Sequence, residues 1–486
     1  MEGGKNMEDL ARRAMETALS SGATYADIRI VEINNQNISS RNGKIRNVSI
    51  GKNKGFGVRV LIDGAWGFSS SCDISPNTIE KVTLEAAKIA KASARLKKKD
   101  VRLAPAKPIR GTYKTPLKKD PFEVPLKDKI EILIEADKRV ISQSNLLKLS
   151  TSSMNHYREG KVFANSEGAY ITQEITWCSA NSRVTAIGYG EYQDRSFDGR
   201  NARTGGYEII EGIDLPARAE ESGKEALKLL TAKNCPEMIT DVIVGGSQLA
   251  LQVHESTGHP TELDRALGAE AAMAGTSFLT VDKMGKFRYG SKEVNIVADA
   301  TIPDGLGTFG YDDEGVPAQR VYLIKGGIFV NYLSDRTFAG ELGVPSTGAA
   351  RASGWNRIPL VRMTNINLEP RNWEFDELVK DTKKGIYMET NRSWSIDDKR
   401  LNFQFGTQMA YLIEKGELTD LIKNAVYTGI TPEFWGSCDA ICNKKHWHMW
   451  GTPGCGKGQP GQVMYVGHGT APARFRNTRV FSGVTR

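Results

Sequence analysis

Twice in the first 230 residues the hydrophobic period runs from helical to extended and back, and that order constrains the fold more than anything else in the chain. Residues 8–21 read as a helix. Strand alternation follows at Ile28 and Ile30, then at Phe56, Val58, Val60 and Ile62, with hairpin turns at Asn42-Gly43 and Asp63-Gly64. Ser75 then caps a helix that starts at Pro76, with Ile79, Val82, Ala86 and Ile89 on its apolar face. A stretch containing Pro105, Pro108, Pro116, Pro121 and Pro125 separates this unit from the next. There, 126–142 is helical, strands with Gly-containing turns reach about Gly190, and Asp214 caps a helix holding Pro216, Leu227 and Leu230. The recurrence suggests an internal duplication of helix–β-meander–helix units.

Near residues 231–237 the texture changes. Glycine becomes dense, strand signals dominate, and two hairpins resemble each other at Lys325-Gly326-Gly327 and Lys415-Gly416. The expected fold is therefore α+β and two-lobed. Residues 1–234 form an N-terminal α/β domain, and 235–486 a mostly β catalytic domain with a metal-bearing helix.

A chain of 486 residues with 40% hydrophobic and 25% charged residues can bury a large core and is not a disordered one. The net charge of +8 comes from 65 bases interleaved with 57 acids, without the one-sided clustering of nucleic-acid binders, which argues against a nucleic-acid partner. The charged start MEGGKNMEDLARRAMETALS lacks a signal peptide's apolar core, and no apolar run reaches about 18 residues, so no membrane partner is expected. Six cysteines in so long a chain read as reduced thiols, and the expected location is the cytoplasm.

The chemistry concentrates at His254-Glu255-Ser256-Thr257-Gly258-His259-Pro260, after the strand 239–244 and a helix that Ser247 would cap. Zinc proteases place two histidines at i and i+4 with a glutamate beside the first. Here the interval is five, which on a regular helix sets the two rings about 140° apart. A π-type widening would bring them to one side. Alternatively Gly258 loosens the helix end, Pro260 drives His259 out of the α region, and the ring swings back. The candidates for a third ligand are Cys438, Cys442, His446, His448, Cys455 and His468. The first four could build a separate zinc site, although C-x-x-x-C is equally a helix-face pair and Trp435, Trp447 and Trp450 suggest packing. Cys455 lies in Gly454-Cys455-Gly456-Lys457-Gly458, a loop whose backbone can approach a site and whose lysine favours a thiolate.

The run HESTGHPTELDRALGAEAAMA from His254 to Ala274 resembles the TldD/PmbA family of peptidases, specifically its zinc-bearing TldD-like branch. So do Asp312-Asp313-Glu314-Gly315-Val316-Pro317, Arg362-Met363-Thr364-Asn365 with Leu368-Glu369-Pro370, and Cys455-Gly456-Lys457-Gly458-Gln459. The resemblance implies one Zn2+ per active subunit, held by His254, His259 and Cys455, with Glu255 as the catalytic glutamate. It also implies an unfolded or extended peptide as substrate. The implied assembly is a dimer enclosing the site, formed with itself or with a TldE/PmbA-like sibling that lacks the zinc motif. The Cys438–Trp450 segment, rich in Cys, His and Trp, departs from many bacterial members.

Two neutral imidazoles and a thiolate would leave zinc a net charge of +1, as two histidines and a carboxylate do in other zinc proteases. Three protein ligands leave one position open. Glu255, beside a ligand but pointing off it, can serve as general base in peptide-bond hydrolysis. Candidates for steadying the oxyanion are His468 and Tyr311. Two other readings stand beside the peptidase: a metal-stabilised partner subunit without chemistry of its own, and a DNA-associated regulator, after the family's older gyrase-modulator naming.

Overall fold

The computed structural model describes residues 4–197 and 201–483. In the first half, helix Gly4–Ser20, strands Tyr25–Arg41, Lys44–Ile62 and Ala65–Ser71, and helix Pro76–Ala94 follow in order. Helix Leu126–Ile141, strands Leu147–Asn165, Tyr170–Gly188 and Glu191–Phe197, and helix Leu215–Thr231 repeat that order. All six strands join one eight-stranded sheet, with Tyr25–Arg41 and Leu147–Asn165 paired antiparallel between the two units. Local chemistry explains the boundaries. Asn42-Gly43 and Asp63-Gly64 take the positive φ values that two-residue hairpins need, and Ser75 Oγ accepts from Thr78 N at 3.3 Å before Pro76. Asp214 caps its helix in the same way, accepting from Ala217 N.

Alternation along these strands gives the sheet two different faces. Ile28, Ile30, Val58, Val60 and Val162 pack into an apolar core with the helices Gly4–Ser20 and Pro76–Ala94. Their neighbours Arg29, Arg59 and Lys161 turn the other way, to the second half. Arg29 donates to the Arg357 carbonyl, Arg59 bridges Asp27 and Glu314, and Lys161 bridges Glu159 and Asp313. Asp313 and Glu314 thus form a buried joint between the halves.

In the second half strand residues outnumber helical ones, but they are less than half of its residues and no denser than in the first half, so it is not the mostly β domain expected. Its main sheet runs from Lys384–Ile396 through Met238–Val244, Ala473–Ser482 and Ala425–Ile430 to Asn402–Glu414, which pairs again with Lys384–Ile396. The five strands therefore close on themselves. Phe403, Phe405, Tyr427, Phe434, Trp435 and Phe475 fill the core beside them. Strand Met238–Val244 feeds helix Gly246–Val253, whose residues from Gln248 onward are all buried, so the helix runs through the core. Gly245 stands at its N-cap. Ser247 is not the cap but lies inside the first turn, where its Oγ accepts from Thr390 N.

Candidate metal centre

The five-residue interval is accommodated by a turn of π-helix at His254–Gly258. The His259 amide donates to the His254 carbonyl, which is the i to i+5 bond of that geometry. His259 itself stays in the right-handed α region (φ −61°, ψ −45°), so Pro260 does not drive it out, and the ring returns because the turn is wide. A widened turn loosens the helical hydrogen-bond ladder, and neighbouring hydroxyls take up its groups. Tyr289 Oη donates to the Ser256 carbonyl and Thr261 Oγ1 to the Thr257 carbonyl, while the Trp435 indole N–H donates to the Ser256 side-chain oxygen. Gly258 is required by crowding, because a Cβ there would overlap Met363 Sδ. Gly258→Ala should destabilise the fold by about 1–3 kcal/mol, measured by denaturant titration, since Met363 has to leave its place.

The His254 and His259 rings meet edge-on with centroids 4.9 Å apart. Cys455 Sγ lies 3.8 Å from His259 Nε2. One ligand atom from each of the three residues lies within 4.8 Å of the others, and all three side chains are buried. The outer nitrogens are already engaged: His254 Nδ1 is 2.8 Å from His468 Nε2, and His259 Nδ1 is 2.9 Å from Glu262 Oε2. The Glu262 carboxylate sets the His259 tautomer and the His468 contact orients the His254 ring, which suits convergence of the inner nitrogens. Two oriented imidazoles and a thiol suit a borderline-soft divalent ion. Burial alone would raise the Cys455 thiol, but His259 and Arg362 outweigh it and hold it below its ordinary range.

Cys455 is carried by strand His448–Lys457, whose pairing with Gln462–Thr470 is interrupted between Thr452 and Cys455. A bulge of this kind re-aims a side chain. Gly454 and Gly456 have open space around them, so the expected close backbone approach is not why they flank it. Lys457 does not face the thiol either. Its fully buried ammonium lies 3.0 Å from Glu262 Oε2 and 2.7 Å from Asp264 Oδ1. Sequence reasoning missed this chain of His259, Glu262, Lys457 and Asp264; the one signal was an acid three residues after a candidate histidine. Lys457→Met would strand two buried carboxylates. It should cost about 3–5 kcal/mol in a denaturation experiment and weaken metal affinity about 10–100-fold in a chelator competition.

Glu255 is buried, with Oε2 paired to Arg400 Nη1. Burial would raise its carboxyl, but His254, His259 and Arg400 more than offset that and keep it below the ordinary carboxylate range. Arg400 comes from the turn between two strands of the closed sheet and adopts φ +64°, a conformation uncommon for arginine. No sequence pattern pointed to it.

The other candidates lie elsewhere. His468 stands behind His254, a placement that suits orientation of that ring rather than contact with an oxyanion. Tyr311 packs against Phe163, Ala169 and Ile171 at the joint between the halves. Cys438 opens a short strand, not a helix, and its thiol is pushed above its ordinary range by burial. Cys442, pushed up to about 12 by burial, packs with Trp373, Tyr387 and Trp447. His446 pairs with Glu374, and His448 sits edge-on to Trp450. These four form no group that could hold a metal ion among the described residues, where His254, His259 and Cys455 are the group that could.

Residues 240–481 match the PmbA/TldA metallopeptidase C-terminal domain, 26–90 the family's domain 1 and 119–230 its central domain. A metalloprotease of Methanocaldococcus jannaschii is 36% identical, over 92% of this chain and 94% of its own length. A zinc metalloprotease TldD homolog of Saccharolobus solfataricus is 24% identical, covering 84% of this chain and 87% of its own length. TldE from Thermococcus kodakarensis shares the fold at a TM-score of 0.76 and 17% identity, over 98% of this chain and all of the other. A mixed α and β fold with a buried His, His and Cys cluster thus defines the class as metallopeptidase, a hydrolase of peptide bonds. The chain belongs to the TldD/PmbA family.

Proposed function

We propose that this chain is a zinc-dependent peptidase that cleaves unfolded or extended peptides, with His254, His259 and Cys455 as metal ligands and Glu255 as general base. The observation that carries this reading is the convergence of three donors within 4.8 Å beside a buried glutamate held in its ionised form. Zinc bound there supplies a Lewis acid that polarises a carbonyl and acidifies water. The protein does the rest. Arg400 fixes Glu255 through Oε2, leaving Oε1 to accept a proton from the attacking water and hand it to the leaving amine. His468 and Glu262 hold the two imidazoles in place.

A metal-stabilised subunit without chemistry needs a fourth protein ligand. Its candidates, Cys442 and His446, are held by an apolar cluster and by Glu374. The likeness to TldE supports an enclosing dimer, with a second copy or with such a sibling. The matching order of elements in residues 4–94 and 126–231 supports an internal duplication, and the break between family domains at 230 and 240 supports the boundary between 1–234 and 235–486, with two family domains inside the first part. The six free thiols accord with a reducing, cytoplasmic location. No described helix is long and apolar enough to cross a membrane.

The test is metal removal. Dialysis against a chelator should abolish cleavage of an unfolded fluorogenic peptide, and one equivalent of Zn2+ should restore it, while a folded protein of the same sequence content stays intact. Full cleavage by the chelated protein would contradict the reading.

A further inference from the structure

Behind the chain of Glu262, Lys457 and Asp264, a cavity of about 450 Å³ lies between the two halves. Trp66 and Phe68 line one side from strand Ala65–Ser71, and Phe338 and Leu360 of the second half line the other. Two carboxylates border this apolar space, Asp264 at 2% and Asp335 at 6% exposure, and the Arg59 guanidinium lines it as well. Asp264 Oδ1 accepts from Lys457. Asp335 Oδ1 accepts from Phe338 N at 2.7 Å and so caps helix Arg336–Leu342, while its Oδ2 has no hydrogen-bond or ion-pair partner among the described residues. The nearby cations are already engaged. Arg59 is shared by Asp27 and Glu314, Lys457 by Glu262 and Asp264, and Arg336 is bound to both oxygens of Glu167.

A buried carboxyl without a counter-ion is costly, and its environment favours either a proton or a cation. Burial first, and Glu314 next, hold Asp335 well above the ordinary carboxyl range. One face of Trp66 is already covered by the Arg59 guanidinium, 4.6 Å from the ring centre, so Phe68 and Phe338 are the rings that favour a cation with an apolar body over a hydrated ion. The volume is that of a small-ligand site.

We propose that this cavity binds a primary ammonium on an apolar body, the ammonium at Asp335 Oδ2 and the body between Trp66, Phe68, Phe338 and Leu360. In a peptide this group is either the amino terminus of a large apolar first residue or a lysine side chain. The inference does not depend on the metal site, although Asp264 connects the cavity to His259 through Lys457 and Glu262.

The experiment is calorimetric titration of the zinc-loaded full chain with 2-phenylethylammonium and with the neutral isostere 2-phenylethanol. Saturable binding is expected for the ammonium, at least tenfold weaker binding for the alcohol, and at least tenfold weaker ammonium binding to Asp335→Asn. Asparagine keeps the Oδ1 acceptor, so the helix cap survives; if that variant fails to fold, the two probes on the unaltered protein decide alone. Equal binding of both probes, no saturable ammonium binding, or an unchanged affinity in Asp335→Asn would overturn the proposal, and the last outcome would mean that the amine binds away from Asp335. Two competitions then assign the source. Phe-Ala-Ala-Ala against its N-acetyl form tests the amino terminus, and N-acetyl-Ala-Lys-Ala-amide against its norleucine counterpart tests lysine. Competition by either cationic peptide alone supports the site, and competition by neither overturns its extension to peptides.

Discussion

Glu255→Ala is expected to lower peptide cleavage by about 10²–10⁴-fold, the usual contribution of a general base, while leaving metal content unchanged. Glu255 is not among the three donors that cluster, so its removal takes nothing from the metal. Its carboxylate is anionic for a structural reason: His254, His259 and Arg400 outweigh the burial that would protonate it. The same burial keeps water sparse around the proton it takes. Glu255→Gln, which keeps the shape and can still contact Arg400, should lose activity to the same degree. Steady-state kinetics on an unfolded peptide, with zinc measured on the same samples, checks both. Turnover retained in either variant would defeat the assignment of Glu255 as base.

Cys455→Ala is expected to remove most of the bound zinc and with it the activity. The thiolate supplies the single negative charge in the donor set, and two neutral imidazoles hold a divalent ion far less well at neutral pH. Cys442→Ala is the control. That thiol is packed among Trp373, Tyr387 and Trp447 and held in its protonated form by burial, so zinc should stay near one equivalent per chain. Atomic absorption after gel filtration reads the difference. Equal loss in both variants would mean that the metal depends on global stability rather than on Cys455.

Much of the fold is legible locally. Ser75-Pro76 and Asp214 mark helix starts that the structure repeats, and Asn42-Gly43, Asp63-Gly64 and Lys415-Gly416 turn their hairpins with positive φ. These signals act within a few residues, where side-chain chemistry decides the backbone. Closure of the second sheet is not legible, because strand Asn402–Glu414 meets Lys384–Ile396 on one side and both Ala425–Ile430 and Glu417–Lys423 on the other, and which strands meet is settled by packing across the whole half. The metal cluster is legible in part. The awkward spacing of His254 and His259 left a π-turn and a swing-back at Pro260 both open, and the glycines and lysine that set Cys455 apart from five other candidates did so for reasons the structure does not share, so there the family resemblance was needed. Arg400, Glu262 and the positioning role of His468 escaped notice because each acts through a contact between residues far apart or through an ordinary residue type. The sheet's charged face was missed for a related reason: Arg59 and Lys161 look like solvent-facing residues until Glu314 and Asp313 arrive from the other half.

X-ray absorption at the zinc edge, on the purified zinc-loaded chain, addresses the donor set itself. The predicted spectrum has one sulfur at about 2.3 Å, two imidazole nitrogens at about 2.0–2.1 Å and one lighter exchangeable ligand. A first shell without sulfur, or one filled by four protein donors, would contradict the account.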